Sequence, residues 1–379
     1  MTIIFNQTPN PPAPAVHILV IAVGKYPYLR GGSGPELLPN GGLGQLESSM
    51  TSAEAFCRWL QTEFKPRNLP LGSIEVLSSA GATFLNSQGQ AVQVSTPSMK
   101  NVRKAVADWA TRGDQHEDNF TLFYFCGHGV SSGLVHSLLL EDFGEDVNDP
   151  FNTGAIDAEL FMDGVRSKSA RSQLFLIDAC RTVDHAAFAK LGAQRGAPII
   201  SAPPNTRLGV VEQACLWATS LGSLAYGIHG QPSIFMSAML HAMQGGGAMQ
   251  DSDDGSWFIH PEMLRLSINH IIQRIPAFTN SVRQYTSLDR TVKGLPVHSL
   301  AGEPSVPVKV HCVPASRNSL TTFSCSSGAQ RGNGPAEPWH LDLQYDRYTF
   351  DAVANDVGAK TKAAMAHPPF SIVAFDYQP

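Results

Sequence analysis

The chain carries a series of apolar runs of strand length, separated by stretches whose apolar positions recur at helical spacing. His17 to Gly24 (HILVIAVG) is unbroken, and a short continuous run of this kind reads as a strand buried on both faces. Ile74 to Leu77, Asn119 to Cys126, Ser172 to Ile177 and Ala214 to Ser220 repeat the pattern. Between them, Ala53, Phe56, Leu60 and Phe64 form one helical stripe, opened by Thr51 and Glu54 at capping-box spacing. Thr96-Pro97 opens a second helix, with Met99, Val102, Val106 and Trp109 on its buried face. Ser137 to Asp142 reads as a short strand, Ala155 to Val165 as a crossover helix, and Ser233 to Met243 and Pro261 to Ile275 as further helices. Alternating β and α elements predict an α/β domain with a doubly wound, mostly parallel sheet over residues 16–295. Residues 1–15 are rich in Pro and read as a flexible N-terminal arm. From Pro296 the pattern changes. Val306 to Cys312, Leu320 to Cys325, Leu341 to Tyr345 and Ser371 to Phe375 alternate like half-exposed strands, so residues 296–379 are expected to form a small β-rich C-terminal appendage.

Composition narrows the class. Of 379 residues, 43% are hydrophobic and 16% charged, which suits one large or two modest soluble domains. A net charge of -5 offers no surface for polyanions, so no direct nucleic-acid partner is expected. No apolar run reaches the roughly 18 residues of a membrane span, and Met1 to Gln7 lacks the basic and apolar regions of a signal peptide. The six cysteines show no CxxC and no dense spacing, which points to buried thiols in a reducing compartment, the cytoplasm. Asp251-Ser-Asp-Asp-Gly255 has its glycine one place early for an EF-hand and reads as a solvated turn. His298, His311 and Cys312 make no zinc pattern. Neither metal nor cofactor is expected.

Two of the strands end on reactive residues: Cys126-Gly-His128-Gly129 and Asp178-Ala-Cys180-Arg181. If these strands are parallel neighbours, His128 and Cys180 emerge together at the carboxyl edge of the sheet, where open α/β folds place their chemistry. A thiolate beside an imidazole is a strong nucleophile at neutral pH, and the imidazole can pass the proton to a leaving amine. Either residue alone would read as a core side chain; the pair reads as catalytic. Asp178 and Cys126 each lie two residues before a reactive one and so on the same side of their strands. A carboxylate at 178 then projects toward the substrate pocket, unless it only fixes a loop. Cys126 either borders that pocket or packs in the core. Arg181 reads as a loop anchor, since a fixed cation cannot shuttle protons.

A Gly-His-Gly strand end followed roughly 50 residues later by a cysteine strand end resembles the catalytic core of the caspase–metacaspase clan of cysteine peptidases. It is most similar to the bacterial caspase-like members, because Asp178-Ala-Cys180 stands where animal caspases have Gln-Ala-Cys. The resemblance covers roughly residues 14 to 295. It implies a caspase-like fold, protein or peptide substrates, and an oxyanion hole made by the backbone N–H groups of Gly129 and Cys180. It also implies that Asp178 receives Arg or Lys before the scissile bond, and that the residue at 126 borders that pocket. A second acid common after the first strand is replaced here by Gly24-Lys25-Tyr26, for which Glu141 or Asp142 is expected to compensate. Lys25 is expected to pair with Asp178. The long Ala/Gly/Pro-rich stretch 181–212 carries Lys190, Arg195 and Arg207 as candidate processing sites for the enzyme or an activating protease. The resemblance further implies a bacterial defence or cell-death role. Two other functions share these residues: a catalytically silent caspase-fold scaffold, and a thiol hydrolase of small amides or thioesters.

Overall fold

In the computed structural model, residues 2–36, 42–132, 134–181, 195–200, 211–220, 223–275, 284–290 and 294–377 are described. Its largest sheet has seven strands: β1 (Ile3–Asn6), β2 (Val16–Ala22), β3 (Leu71–Ser78), β4 (Phe120–Cys126), β5 (Ser172–Asp178), β6 (Glu212–Trp217) and β7 (Ser287–Asp289). Their order is β1-β3-β2-β4-β5-β6-β7. The inner five are parallel, and β1 and β7 close the edges antiparallel. The predicted mostly parallel sheet is therefore present, with the order reversing beside β2 as in doubly wound folds.

Helices cover both faces. Phe123 and Tyr124 are adjacent on β4 and point to opposite sides. Helix α1 (Ser48–Thr62) sets Phe56 edge-on against Tyr124, 5.1 Å between ring centres. Helix α2 (Met99–Gly113) sets Trp109 against Phe123 on the other side, and Phe161 of α3 (Ala158–Arg166) joins it there. Burial on both faces is why β2, β4 and β5 read as unbroken apolar runs.

Several expectations are corrected. Residues 3–6 are not a loose arm: they pair with β3 as an edge strand. The capping box does not form, because Glu54 accepts from the Thr83 N–H instead and α1 starts at Ser48. Ser98, not Thr96, caps α2 by accepting from the Asn101 N–H. Ala155–Asp157 is a short strand, and Asp157 caps the helix that follows by accepting from the Leu160 N–H. Most of the stretch 181–212, with Lys190 and Arg207, lies outside the described residues.

Contacts divide the chain into residues 1–240 with 284–295, and residues 241–283 with 296–379. The expected boundary at 295/296 is thus crossed by helix Pro261–Ile272, which belongs with the C-terminal strands. In that second unit, β8 (Ser305–Val313) lies between β10 (Trp339–Gln344) and β13 (Ser371–Asp376). A second sheet holds β9 (Thr321–Cys325), β11 (Asp346–Ala354) and β12 (Gly358–Ala366), with Gln330–Arg331 at its edge. Val306, Val308 and Val310 pack with Phe323, Phe350 and Phe375 in one core shared by both sheets. Asp251–Gly255 is the turn of a hairpin, where Asp251 and Asp254 accept from the N–H groups of Asp253 and Ser256.

His17 on β2 is buried, its Nδ1 2.9 Å from Ser73 Oγ. Burial, aided by the Arg112 charge, lowers its pKa to about 4. Between pH 6.5 and 4 the unfolded chain therefore binds this proton and the folded chain does not, so acidification favours unfolding. Over that window the wild type should lose stability that His17→Gln retains, on the order of 2 kcal/mol. Denaturant midpoints at the two ends of the window measure it; equal losses would show that His17 is not responsible.

Candidate active site

The register of the central strands levels their ends. Ala22 pairs with Cys126, and Cys126 with Asp178. His128 and Cys180 each follow two residues beyond that line, on turns leaving neighbouring strands. Gly129 lies against the second turn: a Cβ on it would fall 2.4 Å from the Cys180 carbonyl oxygen and 3.0 Å from the Ala179 Cβ. Gly127 is similarly closed in, by the Tyr26 hydroxyl and the Phe125 ring. Both glycines flanking the histidine are thus needed for close approach.

The imidazole of His128 is fixed from two directions. Nε2 is 2.8 Å from the Gly44 carbonyl oxygen, which can only accept, so Nε2 carries the proton and Nδ1 keeps its lone pair in the neutral ring. The Tyr26 hydroxyl accepts from the His128 N–H at 2.7 Å, and the two rings lie 4.8 Å apart. Gly44 is held there by its neighbour Gln45, which accepts from the Tyr26 N–H and donates to the Tyr26 and Arg30 carbonyls. Burial lowers the His128 pKa to about 4 despite the Gly44 bond, so the ring is neutral at physiological pH.

Cys180 Sγ accepts from the Ala225 N–H at 3.2 Å. Burial raises the thiol pKa; the Ala225 bond opposes this and the Asp178 charge reinforces it. The resting pair is therefore thiol and neutral imidazole rather than an ion pair. The backbone N–H of Cys180 has no acceptor among the described residues.

Asp178 sits in a buried polar cluster. Its Oδ2 accepts from Tyr124 Oη at 3.1 Å, from Cys126 Sγ at 3.4 Å and from Ser233 Oγ, none of which reaches Oδ1. Burial lifts its pKa to about 6, with the three donors holding it down. Ser233 Oγ also accepts from the Met236 N–H, so it caps α4 (Ile234–His241) while fixing the carboxylate. Cys126 is consequently both a core residue and a neighbour of Asp178.

The expected partners of Asp178 lie elsewhere. Glu141 accepts from Ser79 Oγ at 2.6 Å, and Ser79 Oγ in turn accepts from the Gly24 and Lys25 N–H groups. Asp142 accepts from the Met99 N–H at the start of α2. Lys25 is exposed; burial raises the Glu141 pKa and the Lys25 charge opposes this, whereas Lys25 is not among the groups that shift Asp178, so the expected Lys25–Asp178 pair does not form. Arg181 anchors its loop: it donates to Ser287 Oγ at 3.1 Å and to His136 Nε2 at 2.9 Å, and lies over the Trp217 ring. Arg195 pairs with Asp157, and the Gly196 N–H donates to Ser137 Oγ.

Sequence reading missed Tyr26, Gly44, Ala225 and Ser233. For Gly44 and Ala225 it is the backbone that acts, and no residue type marks such a role. Tyr26 carried one usable signal, a hydroxyl placed four residues past the β2 end.

Together these groups bring a thiol, a neutral base with a defined tautomer, and a buried carboxylate to one sheet edge, the equipment of thiol acyl transfer. Several known proteins are similar to this chain. The Caspase domain family profile matches residues 19–265. An uncharacterized protein of Sinorhizobium fredii is 26% identical over 255 residues, 66% of this chain and 72% of that protein. A probable protease of a Desulfuromonadales bacterium is 26% identical over 268 residues; the match takes in 65% of this chain and 32% of that longer protein. Among solved structures, caspase-1 of Spodoptera frugiperda aligns with a TM-score of 0.40 and 9% identity, over 78% of this chain and 94% of its own. With the profile spanning most of the α/β unit, the chain belongs to the caspase-domain family and carries a caspase-family cysteine peptidase domain.

Proposed function

We propose that this protein is a cysteine endopeptidase that cuts after a basic residue, Arg over Lys, using a Cys180–His128 dyad. The observation that carries this reading is the tautomer of His128: with Nε2–H held on Gly44, Nδ1 is the base left to take the thiol proton. Cys180 Sγ then attacks the scissile carbonyl carbon. The oxyanion receives the N–H groups of Gly129 and Cys180, and the imidazolium returns its proton to the leaving amine. Water hydrolyses the thioester in the second half. Asp178, with Cys126 beside it, receives the basic side chain. The substrate is a protein or peptide, and a bacterial defence or cell-death role follows from the family resemblance. Covalent labelling by an arginyl chloromethyl ketone tests the dyad. Peptide mapping should find the label on Cys180, and a native protein that takes no label would favour the silent-scaffold alternative. A panel of small amides and thioesters separates the thiol-hydrolase alternative: turnover there without peptide cleavage would favour it.

Processing after Lys190, Arg195 or Arg207 is the second part of the proposal. Cutting would free the loop ends to complete the substrate groove. Arg195 is held by Asp157 and its next residue by Ser137, so a cut there requires that segment to leave its place. Intact mass spectrometry of active enzyme should find a chain cut at one of these sites, and changing all three to Gln should lower activity. Full activity of an uncut chain, unaffected by the triple change, would remove processing while leaving the peptidase reading in place.

A further inference from the structure

Helix α5 (Pro261–Ile272) faces the sheet of β8, β10 and β13 across a cavity of about 430 Å³. Lys309 on β8 pairs in register with His340 on β10 and with Ile372 on β13, so these three side chains form a row across one face. Leu266, His270 and Arg274 follow at four-residue steps along the helix and just past its end, forming the opposite wall. The cavity falls within the size range of small-molecule sites. Proteolysis as described above uses none of it.

The lining combines a flat apolar surface with one uncompensated cation. The His270 ring stacks on Phe370, 4.3 Å between centres and 5° from parallel. Ile372 is exposed. Arg274 is spoken for: it donates to Asp342 Oδ1 at 3.0 Å and to the Leu341 carbonyl at 3.3 Å. Among the described residues, Lys309 has no carboxylate within ion-pair distance. Three polar atoms of the lining residues, His270 Nε2, His340 Nδ1 and Arg274 Nε, are buried without a hydrogen-bond partner among the described residues. His270 itself is 8% exposed. Both imidazoles have lowered pKa values, through burial and then the Arg274 charge, with Lys309 adding to the effect. The local field is therefore positive and both rings are neutral.

We propose that this cavity binds a small organic carboxylate with a planar apolar body, its carboxylate on Lys309 and its plane against the apolar lining. One free ammonium matches one negative charge. A dianion such as a phosphate monoester would lack a second free cation, and its repulsion by the exposed Glu337 in the lining, which a monoanion also feels, would be about twice as large. The planar body fits a wall that already ends in a stacked ring pair.

Titration calorimetry of the full chain with indole-3-acetate, and with its uncharged isostere indole-3-acetamide, tests the proposal. The acid should bind saturably at one site, with a Kd on the order of 1 mM or tighter, and the amide at least ~10-fold more weakly. Lys309→Met keeps the stem and removes the charge; it should weaken the acid by ~10-fold and leave the amide unchanged. Ile372→Glu, at an exposed position, should weaken the acid similarly by repulsion and decides the matter should Lys309→Met fail to fold. No saturable binding of the acid, equal binding of acid and amide, or acid binding untouched by the folded variants would overturn it.

Discussion

Cys180→Ala is expected to abolish peptide hydrolysis, and His128→Ala to lower it by at least about 10³-fold, while both proteins melt within a few degrees of the wild type. In the resting site the thiol and imidazole are both neutral, because burial lowers His128 to about 4 and raises Cys180. The thiolate has to be made as substrate binds. In the proposed mechanism Nδ1 takes the proton, and the resulting imidazolium keeps its Nε2–H on the Gly44 carbonyl, which favours the charged ring. Without Cys180 no acyl-enzyme forms. Without His128 neither the proposed acceptor of the thiol proton nor the proposed acid for the leaving amine remains. Since the two residues act as one unit, the double variant should be no slower than Cys180→Ala, whereas independent effects would multiply. Initial rates on a fluorogenic Arg peptide, with each variant purified on fresh resin, measure this. Substantial turnover by Cys180→Ala would sink the nucleophile assignment.

How much of this could be read from the sequence depends on which atoms do the work. Parallel strands buried on both faces leave an unmistakable apolar run, so β2, β4 and β5 and the residues that end them were legible, and so was the level placement of positions 128 and 180. The supports were not. Gly44 acts through its carbonyl and Ala225 through its N–H, and a backbone group has no letter of its own. Acidic residues misled for the related reason that a carboxylate accepts whichever donor the fold brings near: Glu54 meets the Thr83 N–H, Asp142 the start of α2, and Glu141 meets Ser79. The hairpin of β11 and β12 escaped notice because Gly358–Ala366 is mostly exposed and rich in Ala and Lys, with no apolar face to betray a strand. It is held instead by a nine-pair ladder to Asp346–Ala354, which no local pattern announces.

Asp178→Asn is expected to lower kcat/KM for Arg substrates by roughly 10–100-fold, since a charge-assisted hydrogen bond contributes on the order of 1.5–3 kcal/mol. Tyr124, Cys126 and Ser233 all donate to Oδ2, which leaves Oδ1 as the oxygen for a substrate cation. With one oxygen already crowded, a guanidinium cannot use its full two-bond fork, so Arg should exceed Lys by about tenfold or less rather than exclude it. The pKa values add a sharper signature. Asp178 ionises near pH 6 and His128 near pH 4. As pH falls through 6 the carboxyl takes up a proton and loses its attraction for Arg, while His128 is still an unprotonated base. Arg peptides should therefore lose kcat/KM below about pH 6, and a slowly cut Leu peptide should hold its rate until the pH nears 4. In Asp178→Asn the limb near pH 6 should vanish for Arg peptides, and the Leu rate should stay within a few-fold of the wild type, which separates lost recognition from a disturbed fold. The measurement is a pH series on matched peptides ending in Arg, Lys, Leu and Asp before the fluorophore. A preference for Asp, or an Arg preference and pH limb that survive Asp178→Asn, would show that this carboxylate does not set specificity.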